Sequence, residues 1–203
     1  DIIRGGAGAD VLNGGAGTDL VTYFDSAVGV SVNLATGVGT GGDAQGDTLS
    51  GVENLSGSQG NDTLVGNAGV YNLQGNNGND VLRGGAGADA LGGGAGTDTA
   101  SYYDSAVGIA INLTAGTVSG GDAQGDNLVS IENISGSQGN DTLVGNAGAN
   151  TLQGWGGNDV LRGVAGADVL DGGTGTDTAS YFDSAVGISI NLTAGTAAGG
   201  DAR

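Results

Sequence analysis

Several residue types are missing from this chain altogether. Of its 203 residues none is proline, cysteine, histidine or methionine, and the four basic residues are all arginines. Without cysteine there is no disulfide framework. Without cysteine or histidine a zinc site lacks its usual ligands. The absence of histidine, cysteine and lysine also removes the common acid–base and nucleophilic groups of catalysis, so the expectation is a chain that is not an enzyme. Paired carboxylates can hydrolyse glycosides, but the spacing described below gives the acids another task. No apolar run approaches the roughly 20 residues of a membrane-spanning helix, and no signal peptide is visible. Positive charge is nearly absent: the formal net charge is -18. That argues against partnership with nucleic acid or an anionic membrane surface and suits multivalent cations, and with no apolar span no membrane insertion is expected.

Glycine fills 47 positions. Glycine and acid at this level would ordinarily mark a disordered linker, but the order of the residues argues otherwise. The stretch GGAGADVLNGGAGTDLVT, 5–22, is one nine-residue phrase said twice. A longer repeat encloses it: SAVG begins at 26, 105 and 184, and GSQGNDTLVGNAG at 57 and 136, in steps of 79 residues. Each unit holds five nonapeptides and a 34-residue segment. The chain therefore divides into nonapeptide blocks 1–22, 57–101 and 136–180, alternating with segments 23–56, 102–135 and 181–203. It starts and stops in mid-phrase, as a single continuous stretch of a longer repetitive protein would.

The phrase reads G-G-x-G-x-D-x-U-x. Its apolar eighth position is Leu12, Val21, Leu64, Leu73, Leu82, Leu91, Leu143, Leu152, Leu161 or Leu170, shrinking to Ala100 and Ala179 before a segment. One inward residue in nine suits a strand of about three residues. The first six positions then form a turn, where glycine permits positive φ and close backbone approach. Two strand–turn units make an 18-residue coil, and stacked coils place turn n on turn n+2 about 4.8 Å away. The predicted fold is all-β, a parallel β-roll or β-helix solenoid.

That stacking lines up Asp62, Asp80 and Asp98, and likewise Asp141, Asp159 and Asp177. Carboxylates about 5 Å apart repel by about 1 kcal/mol per pair even at the dielectric constant of water. A thin core cannot offset such a ladder together with the entropy of ordering so much glycine. A divalent cation between turns removes the conflict, and carboxylate and carbonyl oxygens are the ligands calcium prefers; magnesium keeps its waters.

Twelve complete phrases in series resemble the RTX, or haemolysin-type, calcium-binding nonapeptide repeat, and the 34-residue segment resembles one that recurs between RTX blocks in large secreted repeat proteins. The resemblance implies a right-handed parallel β-roll, interrupted here by wider irregular coils, with several calcium ions per chain bound between turns n and n+2. It implies ligands from the carbonyls of positions 2 and 4 and the Asp of one turn, with the carbonyls of positions 1 and 3 and the Asp of the next. On this chain one ion would lie among Ser58, Gly60, Asp62, Gly75, Asn77 and Asp80, and another among Asn76, Gly78, Asp80, Gly93, Ala95 and Asp98. The later block gives Ser137, Gly139, Asp141, Gly154, Gly156 and Asp159, then Trp155, Gly157, Asp159, Gly172, Thr174 and Asp177. Asp1 with Gly14, Ala16 and Asp19 resembles half a site. Asp10, Asp89 and Asp168 hold the same sixth position.

The phrase at 66 has Tyr71 in place of Asp, which cannot supply a carboxylate to Asp89. The phrase at 145 has Asn150, which can bind through its amide oxygen or simply cap the turn. Trp155 reads as an exposed aromatic without a task of its own. In the segments, VGVSVNLATG alternates as a half-buried strand with Val28, Val30, Val32 and Leu34. ATGVGTGGDAQGD, 35–47, reads as a protruding loop, and Glu53 and Glu132 fall where Asp would stand. Asp25, Asp43, Asp47, Asp104, Asp122, Asp126 and Asp183 are further calcium ligands or solvated turn acids. The aromatic pairs beginning at Tyr23, Tyr102 and Tyr181 mark a change of coil width.

By this resemblance the chain is a calcium-folded structural region of a secreted or surface protein, such as an adhesin stalk, matrix, filament or surface-layer component. Such proteins are typically bacterial, exported unfolded by type I secretion and folded by extracellular calcium. The alternative is an accessory module of a secreted protease, lipase or alginate epimerase. Neighbouring copies joined end to end are a further expected partner.

Overall fold

Short strands recur every nine residues because only one side chain in nine is bulky and inward. A computed structural model describes residues 1–201; residues 202–203 of the last segment lie outside the described residues. Apart from two single-turn 3-10 helices, Gly42–Ala44 and Gly121–Ala123, its regular elements are strands of two to six residues. No helix among the described residues is long and apolar enough to cross a membrane. The chain forms two compact units, Asp1–Ser101 with Gln124–Ile131, and Tyr102–Ala123 with the chain from Glu132 onward.

In the first unit, strands Ile2–Ile3, Leu20–Thr22, Asn54–Ser56, Asn72–Asn77, Ala90–Ala95 and Asn127–Val129 stack in parallel. A second sheet runs Val11–Asn13, Thr48–Ser50, Val38–Thr40, Ser31–Asn33, Thr63–Val65, Val81–Arg83 and Thr99–Ser101. The second unit stacks Ala110–Asn112, Thr142–Val144, Val160–Arg162 and Thr178–Ala179 in parallel, and separately Asn133–Ser135, Thr151–Gln153 and Val169–Asp171. Within a block the register is 18 residues: Leu64 faces Leu82, Leu82 faces Ala100, and Leu73 faces Leu91. Turn n therefore sits on turn n+2, as the repeat length requires. The eighth-position leucines from Leu64 to Leu161 are all 0–2 % exposed. Each removes its side chain from water between two sheets, the main source of stabilisation in so thin a structure.

The segments are built differently from the expected loop. Val38–Thr40 pairs antiparallel with Ser31–Asn33 and with Thr48–Ser50, so 31–50 is a three-stranded meander laid into the sheet. Ala44 and Asp47 are buried beneath it. The 35–47 stretch thus folds back onto the stack, because Gly39 lets the strand close over Ala44 and Asp47. Val30 and Val32 are core residues, whereas Val28 lies outside the strand and is exposed. Of the aromatic pairs, Tyr23 and Tyr102 point inward, and Phe24, Tyr103 and Phe182 point out.

Candidate metal centre

The sixth position of each phrase follows the turn and precedes the strand, so its side chain hangs at the sheet margin. There one carboxylate oxygen completes the backbone of the turn before it. Asp80 Oδ1 accepts the Asp62 N–H at 2.7 Å, and Asp98 Oδ1 the Asp80 N–H at 2.8 Å. Asp159 and Asp177 accept from Asp141 and Asp159 in the same way. On the other margin Asp89 accepts the Tyr71 N–H and Asp168 the Asn150 N–H. The segments continue these ladders. Asp47 Oδ1 accepts from the Asp10 N–H, Asp126 Oδ1 from Asp89 and Glu53 Oε2 from Asp19, at 2.8 to 3.0 Å.

The second oxygen is different. In Asp10, Asp19, Asp80, Asp89, Asp159 and Asp168, Oδ2 is buried and meets no donor. A buried charged oxygen without a partner is costly. Burial pushes the Asp80 carboxyl up to about 7, with the charges of Asp62 and Asp98 adding to the effect. Burial likewise raises Asp89 to about 6 and lifts Asp62, Asp159 and Asp168 above the usual carboxylate range.

Carbonyl oxygens converge on the same spaces. A Cβ on Gly75 would collide with Asp80 Oδ2 and lie 2.5 Å from the Gly93 oxygen. Only glycine at position 1 leaves that gap. From the turn below, the oxygens of Asn76 and Gly78 aim at Gly94 and Gly96, leaving no room for side chains there. The second unit repeats this with Asp159 and Gly172 about Gly154, and with Trp155 and Gly157 beneath Gly173 and Gly175. No group of three or more carboxylates that could hold a metal ion occurs among the described residues. The donor set is one or two carboxylates with several carbonyls, all hard oxygens, which fits calcium. A bound calcium would supply the positive charge that the orphaned oxygens need. Asn76, Gly78, Asp80, Gly93 and Asp98 would hold it in the first unit, and Trp155, Gly157, Asp159, Gly172 and Asp177 in the second.

The turns fall into two kinds. Both positions 2 and 4 have positive φ in the turns that begin at 5, 14, 75, 84, 93, 154, 163 and 172, and neither does in those at 57, 66, 136 and 145. In the latter group the turn closes on itself. Ser58 donates its hydroxyl to Asp62 Oδ1 and its N–H to Asp62 Oδ2, both at 2.6 Å, and its Oγ accepts the Gly60 N–H. Ser137, Asp141 and Gly139 repeat these bonds. Tyr71 lays its ring over Gly66 and Gly69, where other turns place a carboxylate. Asn150 accepts the Asn146 N–H and donates to the Glu132 carbonyl, which is a capping arrangement.

The remaining candidates are scattered. Asp25 is exposed and pairs with Arg4 at 2.8 Å, and Asp183 lies 3.6 Å from Arg162. Asp104 is exposed. Asp43 and Asp122 are half-buried, their N–H groups donating to Ser26 and Ser105. Asp47 Oδ2 accepts the Tyr23 hydroxyl at 2.9 Å, so that carboxylate is satisfied by protein alone. The amino group of Asp1 rests on Asp19 Oδ1 while its own side chain is exposed. Gly14 abuts Asp19, and Ala16 and Ala95 are exposed. Asn77 donates to the Gln59 side chain. Trp155 donates to Ser135 Oγ at 2.8 Å and meets Tyr103 edge-on, so it does have partners.

Sequence reasoning missed the serine closures, whose signal is the serine at position 2, Ser58 and Ser137. It also missed an outer ladder at position 5, where Asn61 and Asn79 accept N–H groups of Asn79 and Thr97. Among curated proteins no match to the chain was found. A family profile described as RTX calcium-binding nonapeptide repeat (4 copies) matches residues 1–22, 47–70, 72–100, 135–170 and 156–179. These stretches make up more than half of the sequence and include every phrase with a buried, unpartnered carboxylate oxygen, and the chain belongs to the RTX calcium-binding nonapeptide repeat family.

Proposed function

We propose that the chain is a calcium-folded structural region of a secreted or cell-surface bacterial protein, where its repeats add length and rigidity rather than catalysis. The observation that carries this reading is the set of buried Oδ2 atoms without donors, such as those of Asp80 and Asp159, several of them beside convergent carbonyls. Calcium binding free energy then becomes folding free energy, since the unfolded chain has no preformed site. Export in an unfolded state through a type I system fits a chain that folds only on meeting extracellular calcium. The long repeat of 79 residues suits a stalk, matrix or filament, because near-identical units build length.

Circular dichroism of the whole chain tests the reading. In chelator the spectrum should be that of a disordered chain, and calcium at about millimolar level should restore β-structure. Equal β-structure in chelator and in calcium would overturn it.

A further inference from the structure

We propose that the first coil of each five-phrase block, 57–74 and 136–153, is a metal-free starter coil whose side chains take the place of the ion. The inference rests on the calcium reading above and narrows where calcium goes. Two independent features, one on each margin of the coil, lead to it.

On the first margin both carboxylate oxygens are already engaged by donors. Asp62 Oδ1 accepts the Val30 N–H at 2.8 Å and the Ser58 hydroxyl at 2.6 Å, and Oδ2 accepts the Ser58 N–H at 2.6 Å. Asp141 has the same three donors, from Ile109 and Ser137. Asp80 and Asp159 occupy the same position one coil later, and each keeps an Oδ2 with no donor. The cause is the backbone. Position 2 of the later turns has positive φ, at Asn76 79° and at Trp155 73°, whereas Ser58 and Ser137 do not adopt this conformation. In the serine turns the N–H of position 2 reaches the carboxylate of its own turn. An ion there would have to displace two donors held at 2.6 Å.

On the second margin no carboxylate is present. Tyr71 fills the space over Gly66 and Gly69 with its ring, and Asn150 has both ends of its amide engaged. So neither turn of either coil offers a free anionic oxygen. Each coil instead rests on its preceding segment. The Gln59 N–H and Nε2 donate to Ser26 and Phe24 carbonyls, and Gln138 does the same to Ser105 and Tyr103. Ions begin one coil later, where the orphaned oxygens begin.

Bound calcium per chain, counted by equilibrium dialysis on the full chain, decides the matter. The Asp62→Asn/Asp141→Asn double variant should bind as many ions as the wild type, Asn150 being the precedent for an amide in such a turn. Asp80→Asn/Asp159→Asn should bind about two fewer. Equal losses in the two variants would overturn the inference. If the first variant shows no β-structure in calcium, Ser58→Gly/Ser137→Gly settles the question, since it restores the glycine of the open turns. A gain of bound ions supports the starter coil, and an unchanged count overturns it. A wild-type chain that binds no calcium at all overturns the calcium reading itself and this inference with it.

Discussion

The turns at 57 and 75 are written GSQGND and GNNGND, and they stack directly on one another. One holds its aspartate with its own serine and the other leaves an aspartate oxygen buried without a donor. Their strands do not differ: Leu64 and Leu82 are both fully buried and face each other. What separates the two turns is therefore confined to six residues and to the sign of φ at two of them. In this fold the strands carry the apolar core and the turns carry the electrostatics, and the two vary independently.

The largest expected effect tests whether the strands are equivalent. Leu64→Ala and Leu82→Ala should each destabilise the calcium-loaded chain by about 2–5 kcal/mol, since both remove a fully buried side chain. Denaturant midpoints in saturating calcium measure this. A cost at Leu64 well above that at Leu82 would show that the two coils differ in the core as well as in the turns.

A smaller effect is expected from pH in calcium-free buffer. Burial raises Asp80 to about 7 and Asp89 to about 6 in the folded chain, whereas an unfolded aspartate titrates near 4. The folded state therefore holds protons that the unfolded state has lost. Stability from this source is fully present below about 4 and is lost as pH climbs through about 6 to 7. Lowering the pH from 8 to 4 in chelator should thus recover part of the β-structure that calcium would give. The Asp80→Asn variant should show a weaker recovery, because its amide has no proton to gain. A circular dichroism signal in chelator that is flat between pH 8 and 4 would break this account.

Much of this was legible in the sequence. The nine-residue period and its single bulky residue already imply the strands, the 18-residue register and the aspartate ladder. Glycine at position 1 was legible as a close approach, and its neighbour proves to be the aspartate of its own turn. The meander at 31–50 was hidden because its middle strand turns Gly39 inward and Val38 outward, so apolar alternation points to the wrong residue. The two kinds of turn were hidden for a different reason. Asn67 and Asn76 are the same residue at the same position, yet only Asn76 has positive φ. Asn67 accepts the Gly69 N–H within its turn, whereas Asn76 reaches down to Ser56 and Gly57. The choice is made by what lies beneath each turn, which no window of nine residues contains.

The smallest effect concerns Trp155, the equivalent of Asn76 in the second unit. It has a φ of 73°, a conformation that costs a bulky residue about 1–3 kcal/mol. Against that cost stand its edge-on contact with Tyr103, worth about 0.5–1.5 kcal/mol, and its bond to Ser135, worth a similar amount. Trp155→Gly removes the strain and the contacts together and should leave stability within about 1 kcal/mol of the wild type, glycine's own entropy cost of about 0.5–1 kcal/mol included. Trp155→Ala keeps part of the strain and loses the contacts, so it should be the less stable of the two. Neither should change the number of bound ions, because position 2 offers its carbonyl and not its side chain. Unfolding midpoints in calcium, with ion counts on the same samples, check both statements. An alanine variant as stable as the glycine variant would mean that the left-handed backbone at this turn is not set by the stack above and below it.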